Sequence, residues 1–159
     1  MKESLTLPDS FEALAQLDRQ GLREAHSRGA CPEPGKLDGV AEGLILDPVW
    51  FERLRLWRGK VFHSDSKGRA FGQNRLGVGP FEFRRYQFKA SKAQSAFSNR
   101  KVVILDHDLP GNPYWVRIFH DELVEMRPGL YLTCSHLRIG RRLQYASYFA
   151  FDFGRQFSD

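Results

Sequence analysis

The last forty residues carry the most regular pattern in the chain. Leu143, Tyr145, Ser147, Phe149, Phe151 and Phe153 fall on one side of an extended segment, and Gln144, Ala146, Tyr148, Ala150 and Asp152 on the other. A period of two with one apolar side is the pattern of a half-buried strand. Upstream, apolar runs occupy residues 36–46, 60–64, 69–76, 81–90, 101–106, 114–124 and 130–139, and with 142–153 they make eight. Lys67-Gly68, Gly77-Val78-Gly79-Pro80, Pro110-Gly111-Asn112-Pro113, Arg127-Pro128-Gly129 and Gly140 separate them at positions where the chain must turn. Connections this short force neighbouring strands to be antiparallel. Closing eight such strands into an up-and-down barrel removes exposed edges and leaves room inside for side chains or one small ligand. The expected fold is therefore mainly β, an eight-stranded antiparallel barrel. In the run 81–90, Phe81 and Phe83 face one way and Tyr86 and Phe88 the other, which predicts a bulge near Arg84-Arg85.

Two segments change period. Over residues 10–28, Phe11, Leu14, Leu17, Leu22 and Ala25 form an apolar stripe at helical spacing, preceded by an Asp9…Glu12 capping pattern and stopped by Gly29. Ala30-Cys31-Pro32-Glu33-Pro34-Gly35 then reads as a linker. This divides the chain into residues 1–35, an N-terminal helix and linker packed on the barrel or capping one end, and residues 36–159, the barrel domain. In the first strand, Gly39 and Gly43 mark places to bend. After it, Asp47-Pro48 predicts a short helix with Asp47 as N-cap and Pro48 at its first position. Trp50, Phe51, Leu54 and Trp57 follow at helical spacing, with Arg53, Arg55 and Arg58 towards the C-terminal end. Its aromatic face is expected to cover one mouth of the barrel.

Composition adds three constraints. Thirteen Phe, five Tyr and three Trp in 159 residues favour strands and supply a large buried area. Cys31 and Cys134, far apart, are expected to be free thiols in a reducing compartment rather than a disulfide framework. The N-terminal MKESLTLPDS lacks the apolar core of a signal peptide, and no apolar run approaches the roughly 20 residues of a membrane span. A cytoplasmic location without a membrane span is the resulting expectation. The net charge of +5 favours an anionic partner or serves solubility alone.

No G-x-S-x-G, P-loop, Rossmann glycine pattern, H-E-x-x-H or C-x-x-C is present. The candidate chemistry lies in four constellations. Asp106-His107-Asp108 and His120-Asp121-Glu122 flank Asn112-Pro113, and a hairpin would bring a His and a carboxylate together. Asp121 and His120 are the catalytic candidates as an acid/base pair, a metal site is a second use, and strand-end residues in water or ion-paired to Arg117 and Lys60 are the structural alternative. Lys60, Asn74, Arg75, Arg117 and Asp121 are each embedded in apolar strand sequence. Turned inward, they would anchor a ligand in an aromatic pocket, with Asp106, Tyr145 and Phe149 completing the candidate set, or they would pair and fill the barrel. Phe83-Arg84-Arg85-Tyr86-Gln87-Phe88-Lys89 interleaves aromatics and cations, with Arg138, Arg141 and Arg142 nearby. Single-stranded nucleic acid uses such chemistry, but no recognised nucleic-acid pattern accompanies it, so an ordinary barrel strand with Arg on its solvent face is the expected reading and nucleic acid is not the expected partner. His63 and His136, each alone on a strand, are candidates for packing or surface roles before haem ligation. No cofactor or metal is expected.

Gly39 to Gly43, Trp57-x-Gly59-Lys60-x-Phe62, Gly72-x-Asn74-Arg75, Asp106 through Asn112-Pro113, Asp121-Glu122-Leu123 and Pro128-Gly129-Leu130-Tyr131-Leu132 resemble a group of uncharacterised bacterial lipocalin-like proteins. The W-x-G-K-x-F stretch is similar to the G-x-W-x-G signature of calycin-type barrels, although Arg55 stands where the first glycine would be. The resemblance spans residues 36–153. It implies a lipocalin-like barrel with an apolar or amphipathic ligand inside. The leading expectation is a binding protein for a small apolar or amphipathic, possibly anionic, molecule. The alternatives are an isomerase or hydrolase using the same cavity, and a solid-cored interaction module. The oligomeric state is not legible.

Overall fold

The computed structural model describes residues 6–154. Eight strands, β1 (Gly39–Asp47), β2 (Trp57–Ser64), β3 (Ala70–Val78), β4 (Phe81–Gln94), β5 (Lys101–Asp106), β6 (Phe119–Arg127), β7 (Leu130–Ile139) and β8 (Arg142–Asp152), pair in sequence order. β8 returns to pair with β1, so the sheet is a closed antiparallel barrel. The boundaries expected from turn residues fall within a few positions of these, with two exceptions. The chain from Pro34 to Lys36 is a single 3-10 turn, and β1 begins only at Gly39. Residues 114–118 were expected to open a strand, but Tyr114–Arg117 form a helical turn, α4, and β6 starts at Phe119. A short apolar run has no decisive period, and Pro113 immediately before it favours a turn start.

The N-terminal helix is two helices, α1 (Phe11–Ala15) and α2 (Arg19–Arg28). Ser10, not Asp9, caps α1, its hydroxyl accepting from the Ala13 amide at 3.0 Å. Asp18 interrupts the stripe because its carboxylate caps a new start, accepting from the Gly21 amide at 2.8 Å. Both helices lie on the outer wall of the barrel. Phe11, Leu14, Leu22 and Ala25 bury there against Leu46, Val124, Leu132, Tyr148 and Ala150. Arg100, between β4 and β5, donates to the carbonyls of His26 and Gly29 and holds the end of α2 in place. No helix among the described residues is long and apolar enough to cross a membrane.

The helix after β1 is also shorter than its sequence pattern. It is one turn, α3 (Val49–Glu52), preceded by Pro48. Asp47 does not cap it, because its carboxylate is engaged by Arg19 and by the Tyr145 hydroxyl. Glu52 turns back to accept from the Ile45 amide, and Trp57 belongs to β2. Within this turn only Phe51 lines the cavity, whereas Trp50 is exposed.

Inside, the barrel has two unlike halves. The half near the β2–β3, β4–β5 and β6–β7 turns is filled. Phe62, Phe88 and Phe151 are fully buried there, with ring centroids 5.1 Å (Phe62–Phe88) and 5.8 Å (Phe62–Phe151) apart, among Leu37, Leu105 and Leu123. The half near the other four connections is hollow. It holds a cavity of about 380 Å³. Strand irregularities concentrate in this hollow half, where the register shifts at Leu46, Arg58, Tyr86 and Ala146. The shift at Tyr86, which takes φ +70°, is the bulge expected near Arg84-Arg85.

Candidate functional site

The floor of the cavity is a belt of five polar side chains, drawn from β2, β3, the chain just past β5, β6 and β7. Lys60 of β2 lies directly opposite Asn74 of β3, and Asp121 of β6 opposite Ser135 of β7. His107, just past the end of β5, closes the gap between the two pairs. All five line the cavity, and all are buried. Above the belt the wall is apolar: Trp57, Phe149, Phe119, Leu137 and Leu76 from the strands, Tyr86 from its bulge, and Phe51, Trp115 and Val116 from the mouth.

The polar groups satisfy one another in a definite way. Lys60 Nζ donates to Asn74 Oδ1 at 2.6 Å, and the Trp57 indole donates to the same oxygen at 3.1 Å. The Asn74 amide nitrogen donates to the Tyr86 carbonyl at 3.0 Å. His107 Nδ1 faces the Leu105 carbonyl at 3.2 Å, a group that can only accept, so this nitrogen carries the proton. His107 Nε2 is then the lone-pair nitrogen, and it faces the two donors Lys60 Nζ at 3.3 Å and Asn74 Nδ2 at 3.4 Å. His107 is therefore a neutral imidazole accepting from Lys60. Burial and the neighbouring Lys60 charge hold its pKa well below the ordinary value.

Lys60 itself is fully enclosed. Loss of hydration lowers its pKa to about 8, against the opposing pull of the Asp121 charge. Its ammonium also sits 4.6 Å from the centroid of Phe88, so the filled half presents an aromatic face to it. Burial raises the Asp121 carboxyl above its usual range, a shift opposed by Lys60, by the 2.6 Å hydrogen bond from Ser135 and by His120. The belt thus pairs one amine and one carboxyl whose surroundings push both towards their neutral forms.

The Trp57-x-Gly59-Lys60-x-Phe62 stretch gains a physical meaning here. Trp57 is cavity wall, Lys60 is belt and Phe62 is filling. The shift at Arg58 brings Trp57 to the same side as Lys60. Gly59 has φ +135°, and a Cβ there would come within 2.1 Å of the Ala41 carbonyl.

Of the sequence candidates, Lys60, Asn74, Asp121 and Phe149 line the cavity. The others face elsewhere. Arg75 is buried, but on the outer surface, where the side chain crosses the bare Gly59 to reach the Ala41 carbonyl, Glu42 and Glu82. Neighbours on a strand point to opposite faces, so Asn74 inside puts Arg75 outside. Arg117 rides on α4, pairs with Asp108 at 2.7 Å and is half-buried outside the cavity lining. Asp106 is exposed and accepts from the Asp108 amide. Tyr145 leaves the cavity because Ala146 is the extra residue of a bulge, which reverses the alternation read from the sequence. Its hydroxyl meets Asp47 and its ring meets Arg19 on the outer wall. His120 also faces outward, bonded to Glu122 at 2.8 Å, while that carboxylate holds Ser95 and the Ala96 amide of the β4–β5 loop. His63 is exposed beside Phe71, and His136 packs against Phe97 outside the barrel. His107 was visible in sequence as part of a triplet, but only the turn after β5 shows that it points inward. Ser135 carried no signal, being one hydroxyl in an apolar strand. Among the described residues, no group of three His, Cys, Asp or Glu side chains is arranged to hold a metal ion.

No protein-family model matches this chain, and no curated protein matches it. Among solved structures, a protein from Thermomonospora curvata is similar, with a TM-score of 0.59 and 15% identity over 86% of this chain and 87% of that one. At that identity the likeness shows the fold alone.

Proposed function

We propose that the protein binds a small amphipathic molecule inside the hollow half of a lipocalin-like, calycin-type barrel. The observation that carries this reading is the cavity itself: about 380 Å³, walled by aromatic and aliphatic side chains and floored by a buried amine with oriented partners. Few polar groups at fixed positions in an apolar pocket are the usual composition of a small-molecule site. Asn74 and His107 take two of the three N–H groups of Lys60. The third has no hydrogen-bond acceptor among the described residues and would meet a carbonyl or carboxylate oxygen of the ligand, whose apolar body would then lie along Trp57 and Phe149 towards the mouth. The two free thiols, Cys31 and Cys134, support a reducing, cytoplasmic setting.

Native mass spectrometry of freshly purified protein tests the reading, followed by titration with a fluorescent medium-chain fatty acid. A retained small molecule, or probe uptake that Lys60→Met weakens by roughly tenfold, is the expected result. Protein that is ligand-free and ignores the probe in both forms overturns it.

A second reading has one specific observation behind it. Asp121 is a carboxyl of raised pKa facing an apolar-walled cavity beside a neutral imidazole, a combination suited to proton transfer on a bound carbonyl compound. In this reading the base is Asp121 with His107 as its neighbour; His120 takes no part, because it faces the outer wall.

A further inference from the structure

The rim of the hollow half has a composition unlike the rest of the surface. Twelve large apolar side chains are exposed among the described residues, and ten of them lie on the four connections around the mouth. Trp50 and Leu54 come from the β1–β2 connection, Phe81 and Phe83 from the start of β4, Trp115 from α4 and Ile139 from the end of β7. Phe81 is 74% exposed and Trp50 63%. The first five residues of β4 are exposed on both faces, so the β3–β4 hairpin projects past the barrel as an arm.

The same four stretches, residues 47–58, 76–86, 106–118 and 137–143, contain nine arginines and five carboxylates, an excess of four out of the chain's net +5. Four of those carboxylates are already paired with arginine: Asp47 with Arg19, Glu52 with Arg55, Glu82 with Arg75, and Asp108 with Arg117. Arg53, Arg84, Arg85, Arg138, Arg141 and Arg142 are exposed.

From this arrangement we propose that the mouth end docks on an anionic lipid bilayer, with the rim aromatics and aliphatics at the headgroup boundary and the arginines on lipid phosphates. Aromatic and aliphatic side chains of moderate area, ringed by cations, match that interface. Charge argues against a second copy of this chain as the occupant, since two such rims would repel. A single-stranded nucleic acid would stack on aromatics of one sheet face, whereas this rim spreads over four loops and includes aliphatics with no stacking use. The rim is also continuous with the apolar wall of the cavity through Phe51 and Trp115, so a molecule leaving the bilayer would enter without crossing water. The docking surface stands whether or not the cavity ligand is the one proposed above.

Sedimentation of the full chain with vesicles of phosphatidylcholine alone, or with 30% phosphatidylglycerol, tests it, with tryptophan quenching by brominated lipid as the second readout. Two of the three tryptophans, Trp50 and Trp115, lie on the rim and are exposed. Binding at least roughly tenfold stronger to the anionic vesicles, lost as salt rises, is expected. Arg84→Glu with Arg85→Glu should abolish the charge preference, and Trp50→Ser with Phe81→Ser should remove both residual binding and much of the quenching, with thermal melting unchanged in each case. Equal or absent binding to both vesicles overturns the proposal. So does binding that these exposed-site variants leave intact, a rim-burying dimer without lipid, or tighter binding to oligonucleotide than to vesicles.

Discussion

The two halves of the barrel interior are made by the same eight strands and differ in what those strands turn inward. The filled half presents Phe62, Phe88, Phe151, Leu105 and Leu123 in continuous contact. The hollow half presents Lys60, Asn74, Asp121 and Ser135 at the corresponding next inward positions, and then an apolar wall around empty space. Regular alternation persists through most of the filled half, where the register shifts once, near Met126. It is broken four times in the hollow half. A bulge bends and coils a strand and changes which side chain faces in. The hollow end is therefore shaped by irregularity, and the filled end by packing. Close packing and open volume are correspondingly separated along the barrel axis.

The sharpest test of that separation is a truncation in each half. Phe62→Ala should cost about 3–5 kcal/mol, as for a large side chain in a close-packed core. Phe149→Ala, whose ring already borders empty space, should cost clearly less. Urea midpoints of the two variants should differ by more than experimental error; equal losses would mean that the two halves are energetically alike.

Next in size is the polar belt. Lys60→Met leaves the Asp121 carboxyl buried without its cation and should destabilise by about 2 kcal/mol or more at pH 7, below the Lys60 pKa of about 8. Adding Asp121→Asn should restore most of that loss. Because burial raises the Asp121 pKa, the penalty of the single variant should shrink at pH 5, where a protonated carboxyl is tolerated. Denaturant titrations at both pH values check this.

The pH dependence of His107 comes third. Its folded pKa lies well below the ordinary value, so below about pH 6.5 the unfolded chain takes up a proton that the folded chain refuses. The stability contribution of His107 is thus present above pH 6.5 and is lost as pH falls towards the folded value. His107→Gln should lose less stability than the parent between pH 7 and pH 5, the difference growing as pH falls below 6.5. A parallel decline of both proteins would place the proton elsewhere.

The smallest stability effect should follow from filling the void. Ser147→Leu projects into the cavity and should change stability by less than about 1.5 kcal/mol, while probe uptake is lost. Retained uptake would show that binding does not occur in the hollow half.

The strand count, their order and the closing of the sheet were legible because turn residues and a period of two are local signals. The bulge near Arg84-Arg85 was legible for the same reason, since the phase of Phe81 and Phe83 disagrees with that of Tyr86 and Phe88. Three elements were misread. Residues 10–28 looked like one helix because apolar spacing survives the break, whereas the capping by Asp18 depends on one side-chain hydrogen bond. Trp57 matched the helical spacing of Trp50 and Phe51 but lies on a strand. Residues 114–117 are apolar enough for a strand and sit in a helical turn. The site was half legible. Lys60, Asn74, Asp121 and Phe149 could be named because polar residues within apolar strands are conspicuous. Whether such a residue faces in or out depends on phase, and one bulge at Ala146 sent Tyr145 to the outer wall. Arg75 and Asn74 are adjacent and equally conspicuous, and only the register separates them.

The placement of α1 and α2 has a consequence for motion. They cover β1 and β6 to β8 from outside, so that wall is packed on both faces, and six consecutive residues of β7 from Leu130 are buried. β4 has no such cover: along Phe81–Gln94 only Phe88 and Ala90 are buried. Local opening needs the least lost contact where a sheet is covered on one side. The barrel should therefore exchange its backbone hydrogens slowest along β7 and fastest along the β3–β4 arm. Any widening of the mouth would then begin at that arm, and the belt beneath would keep its geometry while the entrance changes shape.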